Sequence, residues 1–144
     1  PPRTRHSERG RFLHVVVKAF AYGRDPLSLA AMGLYALNRW VLKPAGSGGF
    51  WHNHFNDLLL IPAALPLVLW IQRRLGLRNH DRPPTTAEIA LHLVVWTVVC
   101  EIAGPRLSSH GTADPRDAAA YAAGAVFAWG WWSWPGYWSR RTHP

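Results

Sequence analysis

Four apolar blocks, at about residues 26–42, 55–71, 87–103 and 116–134, are set apart by polar and charged connections. This segregation constrains the chain more than any other feature, because each block is about 17 residues long, near the short limit for crossing a bilayer. At about 1.5 Å per residue such a helix falls slightly short of a hydrocarbon core about 30 Å thick. Trp and Arg at the block ends make up the difference by reaching into the headgroup layer. A segment in lipid must satisfy its own backbone hydrogen bonds, so the expected fold class is all-α: a polytopic membrane protein with four transmembrane helices. The mean hydropathy of -0.08 would suit a soluble protein, but that average hides the blocks.

The charge distribution sets the orientation. The chain has 144 residues and a formal net charge of +8. Such a surplus suits a nucleic-acid binder when the basic groups share one folded face. Here they flank the apolar blocks, where Arg and Lys hold a protein on the side lined by anionic lipid. Twelve of the sixteen lie in the N-terminal segment, in the turn after the second block (Arg73, Arg74, Arg78, Arg82) or in the C-terminal tail. The other two connections hold Lys43, Arg106 and Arg116. This alternation predicts four spans in the cell inner (cytoplasmic) membrane with both ends cytoplasmic; three or five spans would break it. Trp40 and Trp51 are expected at the outer interface, and Trp70, Trp131, Trp132, Trp134 and Trp138 at the inner one, where an indole is favoured. The GWWSWPGYWSRR segment therefore reads as a membrane anchor and not as a base-stacking platform. The expected partners are membrane lipids and other transmembrane subunits, with no nucleic acid.

Local signals divide the chain into a basic segment (1–24), a transmembrane domain (25–138) and a basic tail (139–144). Residues 1–11 are basic and lack apolar side chains. From Phe12 to Tyr22, Arg11, His14 and Lys18 share one helical face and Phe12, Leu13, Val16, Val17 and Phe20 the other. That pattern predicts an interfacial amphipathic helix, with a strand as the alternative because VVV is β-branched. No cleavable signal peptide is evident, in a sequence that starts at Pro1. Asp25-Pro26 and Asp114-Pro115 have the composition of helix starts, and Thr85 with Glu88 has the spacing of a capping box. Pro62 and Pro66 predict a kink in the second span.

The topology gathers unusual polar residues at the outer leaflet: His52, His54, Asn56 and Asp57 before or at the start of span two, Glu101 near the end of span three, and His110, Asp114 and Asp117 beyond it. A carboxylate in an apolar helix needs a partner or a wet cavity. A divalent metal is one such partner, with His52 and His54 as nitrogen ligands and Asp57, Glu101 or Asp117 as oxygen ligands. The alternatives are structural: Asp57, Asp114 and Asp117 as helix caps, and Glu101 paired with Arg106 or Arg39. Cys100 is the only cysteine, so neither a disulfide framework nor a thiolate zinc site is available. His92, in mid-span, is placed either to hydrogen-bond across a helix interface or to ligate haem or a chlorin; His14 is the other candidate for a pigment. Ala120, Gly124 and Ala128 recur every four residues and form a small-residue packing face.

The stretch from Glu101 to Gly130 resembles the C-terminal part of the VanZ-like membrane proteins. In that family an intramembrane Glu precedes Asp-x-x-x-Asn-x-x-Gly-Ala by about 15 residues. Asp117, Gly124 and Ala125 fit this pattern, and Tyr121 stands in place of its Asn. HNHFND does not correspond clearly to the family's first polar motif. The resemblance implies an outer polar site that binds a metal or acts on a lipid-linked or cationic ligand. The residues themselves carry no catalytic signature. They favour a small accessory subunit packed against a larger complex, respiratory or photosynthetic, with bound lipid or a divalent metal ahead of haem or chlorin as its cofactor.

Overall fold

The computed structural model describes residues 19–46, 49–107 and 114–135. Every regular element among them is helical. Four long helices dominate: α1 (Pro26–Leu37), α2 (Phe55–Arg74), α3 (Thr86–Thr97) and α4 (Pro115–Ser133). Two of them widen at their ends into π-helical segments, α1 into Asn38–Leu42 and α3 into Val98–Ala103.

The starts follow from capping chemistry. The Asp25 side chain accepts from the Ser28 N–H at 2.8 Å, with Pro26 at the first helical position. Thr85 and Glu88 form a reciprocal capping box, and Asp114 accepts from the Arg116 N–H. Each satisfies a donor that the first helical turn leaves without an internal partner. α2 ends where Gly76 takes a φ of 75°, a left-handed value that glycine adopts without steric cost.

α2 runs between α1 and α4, and α3 packs on α4 and more lightly on α2. Ile61, Leu65 and Leu69 of α2 are fully buried and meet Leu27, Ile89 and Ala128. Pro62 and Pro66 lie inside α2, which is nevertheless one continuous helix. Each proline lacks the N–H that would bind the carbonyl four residues earlier. The carbonyl of Leu58, deprived of its donor by Pro62, faces Gly124, where an added Cβ would overlap the oxygen. On the opposite side the Ser28 hydroxyl donates to the Ala63 carbonyl at 3.2 Å. Neighbouring helices thus surround the stretch that the prolines leave short of donors. Ala120, Gly124 and Ala128 are all buried on α4, and at Gly124 the α2 backbone lies too close to admit a Cβ.

Arg78 closes the arginine-rich end. It is 4% exposed and gives its guanidinium to Glu88 at 2.6 Å, the Tyr22 hydroxyl at 2.6 Å and the carbonyls of His80 and Arg82. Tyr22 donates in turn to Asp81 at 2.8 Å, and Arg73 pairs with the same carboxylate at 3.0 Å. One buried cation therefore ties the segment before α1 to the connection between α2 and α3.

Two expectations meet a different geometry here. Residues 19–21 carry no helix, and only Tyr22–Arg24 forms a 3-10 turn; the rest of the expected interfacial helix, including His14, lies outside the described residues. Phe20 turns into the core instead, edge-on to Trp132. Trp132, expected at the interface, is 1% exposed, because Phe20 and the helix packing enclose it. Trp40, Trp70, Trp131 and Trp134 are exposed. Trp138 and the Trp51 side chain lie outside the described residues.

The outward surface of the helices is apolar. Leu91, Val94, Val95, Val98 and Val99 of the third helical stretch are exposed, as are Val126 and Phe127 of α4. Two stretches, Phe55–Arg74 and Thr86–Ala103, are long and apolar enough to cross a membrane. Of the apolar window in the second, only 11% is buried inside the protein, against 39% for the first.

Candidate functional site

The end of the bundle away from Arg78 collects the polar residues. The short turn Phe50–Asn53 leads into α2, with His54 at the position just before that helix and Asp57 in its first turn. Asp117 occupies the first turn of α4, which packs along α2. The His54 Nδ1 atom lies 2.6 Å from Asp117 Oδ1, both side chains being half-buried. The Asp57 carboxyl lies against that of Asp117, with Lys43 among the charges acting on it. One ligating atom from each of His54, Asp57 and Asp117 falls within 4.8 Å of the others.

Glu101 stands beside this triad on different partners. It accepts from the Asp114 N–H at 2.9 Å and from the Tyr121 hydroxyl at 3.3 Å. Arg106, a partner expected from sequence, donates instead to the Ile102 carbonyl one turn back. Glu101 lies within the π-helical segment Val98–Ala103, and such widened turns concentrate at functional sites. The second π segment begins at Asn38, whose amide donates to Asn56 Oδ1 at 2.8 Å in a buried pair. The Asn38 Oδ1 atom is buried and has no hydrogen-bond partner among the described residues. Both π segments therefore contact the surroundings of the triad.

Of the five residues proposed as metal ligands, three converge and two do not. His52 faces its neighbour Asn53 at 2.9 Å, and Glu101 is held by Tyr121 and Asp114. Asp114 caps α4, whereas the Asp117 side chain, the other expected cap, reaches His54. His110 lies outside the described residues. His92 is buried at the other end of the bundle. Its Nδ1 lies 2.6 Å from the Glu88 carbonyl, which makes that nitrogen the donor. Its Nε2 faces the Gln72 amide at 3.4 Å, so protein groups engage both ring nitrogens. The links that sequence reasoning missed are Tyr121 to Glu101 and Asn38 to Asn56. Only the first left a trace, in the tyrosine that stands where a VanZ-like pattern has Asn. No known protein family, characterised protein or solved structure matches the chain.

The arrangement suits ligand binding. Two carboxyl groups side by side repel one another when both are ionised, and a shared proton or a bound cation relieves that repulsion. Glu101 and the Tyr121 hydroxyl extend the same polar surface toward the start of α4.

Proposed function

We propose that the chain is a multi-pass protein of the cytoplasmic membrane whose working part is the polar cluster around His54, Asp57, Glu101 and Asp117. The observation that carries this reading is the exposure of Thr86–Ala103, an apolar stretch of spanning length that is only 11% buried. The core helix of a water-soluble protein hides its apolar surface, whereas a helix solvated by lipid tails leaves it outward. In this reading all four long helices cross the membrane. The arginine-bearing connection and both ends of this sequence face the cytoplasm, in line with the placement of twelve basic residues. The polar cluster then lies at the outer leaflet, at headgroup depth. Its ligand is a cation or the polar head of a lipid-linked molecule, as the likeness of Glu101–Gly130 to VanZ-like proteins also implies.

Cysteine accessibility tests the arrangement. In a Cys100→Ala background, Ala45→Cys is expected to react with an impermeant maleimide on intact cells, and Asn79→Cys only after permeabilisation. Equal reactivity of both positions from one side would end the reading.

A second reading, an accessory subunit in a larger membrane complex, draws support from α3 and its π-helical extension, whose exposed residues Leu91, Val95 and Val98 are open to a neighbour. Native mass spectrometry after mild solubilisation decides between them: stoichiometric protein partners favour the subunit, and a lone chain excludes it.

A further inference from the structure

We propose that His54, Asp57 and Asp117 form a cradle for a single divalent cation of the Mn2+ or Zn2+ type, bound through His54 Nδ1 and one oxygen from each carboxylate. The inference rests on the reading of this end of the bundle as the working site, and it reduces five candidate ligands to three.

Geometry supports it first. Ligands about 2.1 Å from a tetrahedral ion lie about 3.4 Å from one another. The three atoms already fall within 4.8 Å of each other, so shifts of roughly an ångström bring them to coordinating distance. The His54 to Asp117 contact of 2.6 Å would open by a similar amount as both atoms turned to a shared ion. The three residues are carried by two packed helices, α2 with its preceding residue and α4, and the close approach at Gly124 fixes their separation. A site built on rigid elements holds its ligand spacing better than one built on loops.

The surroundings of the three residues are polar as well. Glu101 is held by the Tyr121 hydroxyl and the Asp114 N–H, adjacent to the triad without joining it. The Asn56 amide, one residue before Asp57, is fixed by Asn38, whose own buried Oδ1 has no partner among the described residues. Helical widening occurs at Asn38–Leu42 and Val98–Ala103, the segments that carry Asn38 and Glu101.

Donor chemistry selects the ion class. One imidazole and two carboxylates form a borderline-to-hard set that suits Mn2+ and Zn2+. Ca2+ requires six to eight oxygen ligands, and Mg2+ is usually held by carboxylates and water. No thiolate joins the three, which disfavours Cu(I). Three protein ligands leave coordination positions for water or for an oxygen of a polar headgroup.

The test uses the full chain, purified in mild detergent and stripped with EDTA. Mn2+ binding is followed by loss of the free-ion EPR signal, and Zn2+ by competition and elemental analysis after dialysis. The expected result is one ion per chain, with affinity reduced at least about tenfold in Asp57→Asn and Asp117→Asn and retained in His80→Ala at the opposite end. Circular dichroism reports whether each variant keeps its helix content. If a carboxamide variant does not fold, His54→Gln supplies the same comparison. Absence of Mn2+ and Zn2+ uptake by the wild-type chain overturns the proposal, as does undiminished uptake by the folded variants. Either failure leaves the membrane arrangement standing, because maleimide accessibility at positions 45 and 79 reads that separately.

Discussion

The carbonyl oxygen of Leu58 sits against Gly124, at the place where Pro62 has removed that oxygen's donor within α2. A methyl group at position 124 has no room, because the obstacle is backbone and not a mobile side chain. Gly124→Ala should force α2 and α4 apart and cost about 1–3 kcal/mol, as overpacking commonly does. Thermal unfolding in detergent checks this, with Gly33→Ala, where an added Cβ meets nothing within 4 Å, as the neutral comparison.

Arg78 makes a different kind of contact. Its side chain is 3% exposed and hydrogen-bonds Glu88, Tyr22 and backbone carbonyls at once. Removing Arg78 leaves the half-buried Glu88 carboxylate and several backbone carbonyls without their donor, at a cost of about 1–3 kcal/mol. Arg78→Gln should therefore lower the unfolding midpoint strongly. Arg78→Lys should recover only part of the loss, since an ammonium group cannot reproduce the planar fork. Equal stability of Arg78→Gln and wild type would refute the arrangement.

Acid should weaken the same end. The Arg73 guanidinium and then the Tyr22 hydroxyl hold the Asp81 carboxyl below its ordinary value of 3.8. A carboxylate lowered on folding stabilises the protein above its unfolded value, and that contribution is lost as pH falls through the folded one. Asp81→Asn should thus be less stable than wild type at neutral pH. The difference should vanish at acid pH below both values, which a pH series of unfolding midpoints would show.

Val95 is 45% exposed at the middle of the third apolar stretch. On a surface bathed in water, Val95→Arg would be harmless. With lipid as the neighbour, a central arginine costs about 2.5–3.5 kcal/mol on insertion scales. Membrane-fractionated yield should fall for Val95→Arg and hold for Val95→Leu.

The sequence made much of the helical frame legible, because capping residues act locally: Asp25, Thr85 with Glu88, and Asp114 each announce a helix start within four residues. Burial was harder to read. Trp132 looked like its exposed neighbours in GWWSWPGYW, and only the packing of Phe20 against it marks it as core. At the polar end, residue types suggested a cation site, yet spacing alone did not separate His54 from His52 or Asp117 from Asp114. Those distinctions depend on the rotation of α4 against α2, which Gly124 and Leu58 set across a long separation in the chain. The π-helical widening around Glu101 has no residue signature comparable to a cap.

The prolines of α2 also bear on the order of assembly. Leu58 emerges from the ribosome well before Gly124, and during that interval its carbonyl has neither an amide within its own helix nor the later helix beside it. In the proposed membrane arrangement, a newly inserted α2 therefore lacks the packing of Gly124 against Leu58 until the last helix docks. Truncation before residue 115 should leave a product that membrane quality-control proteases remove.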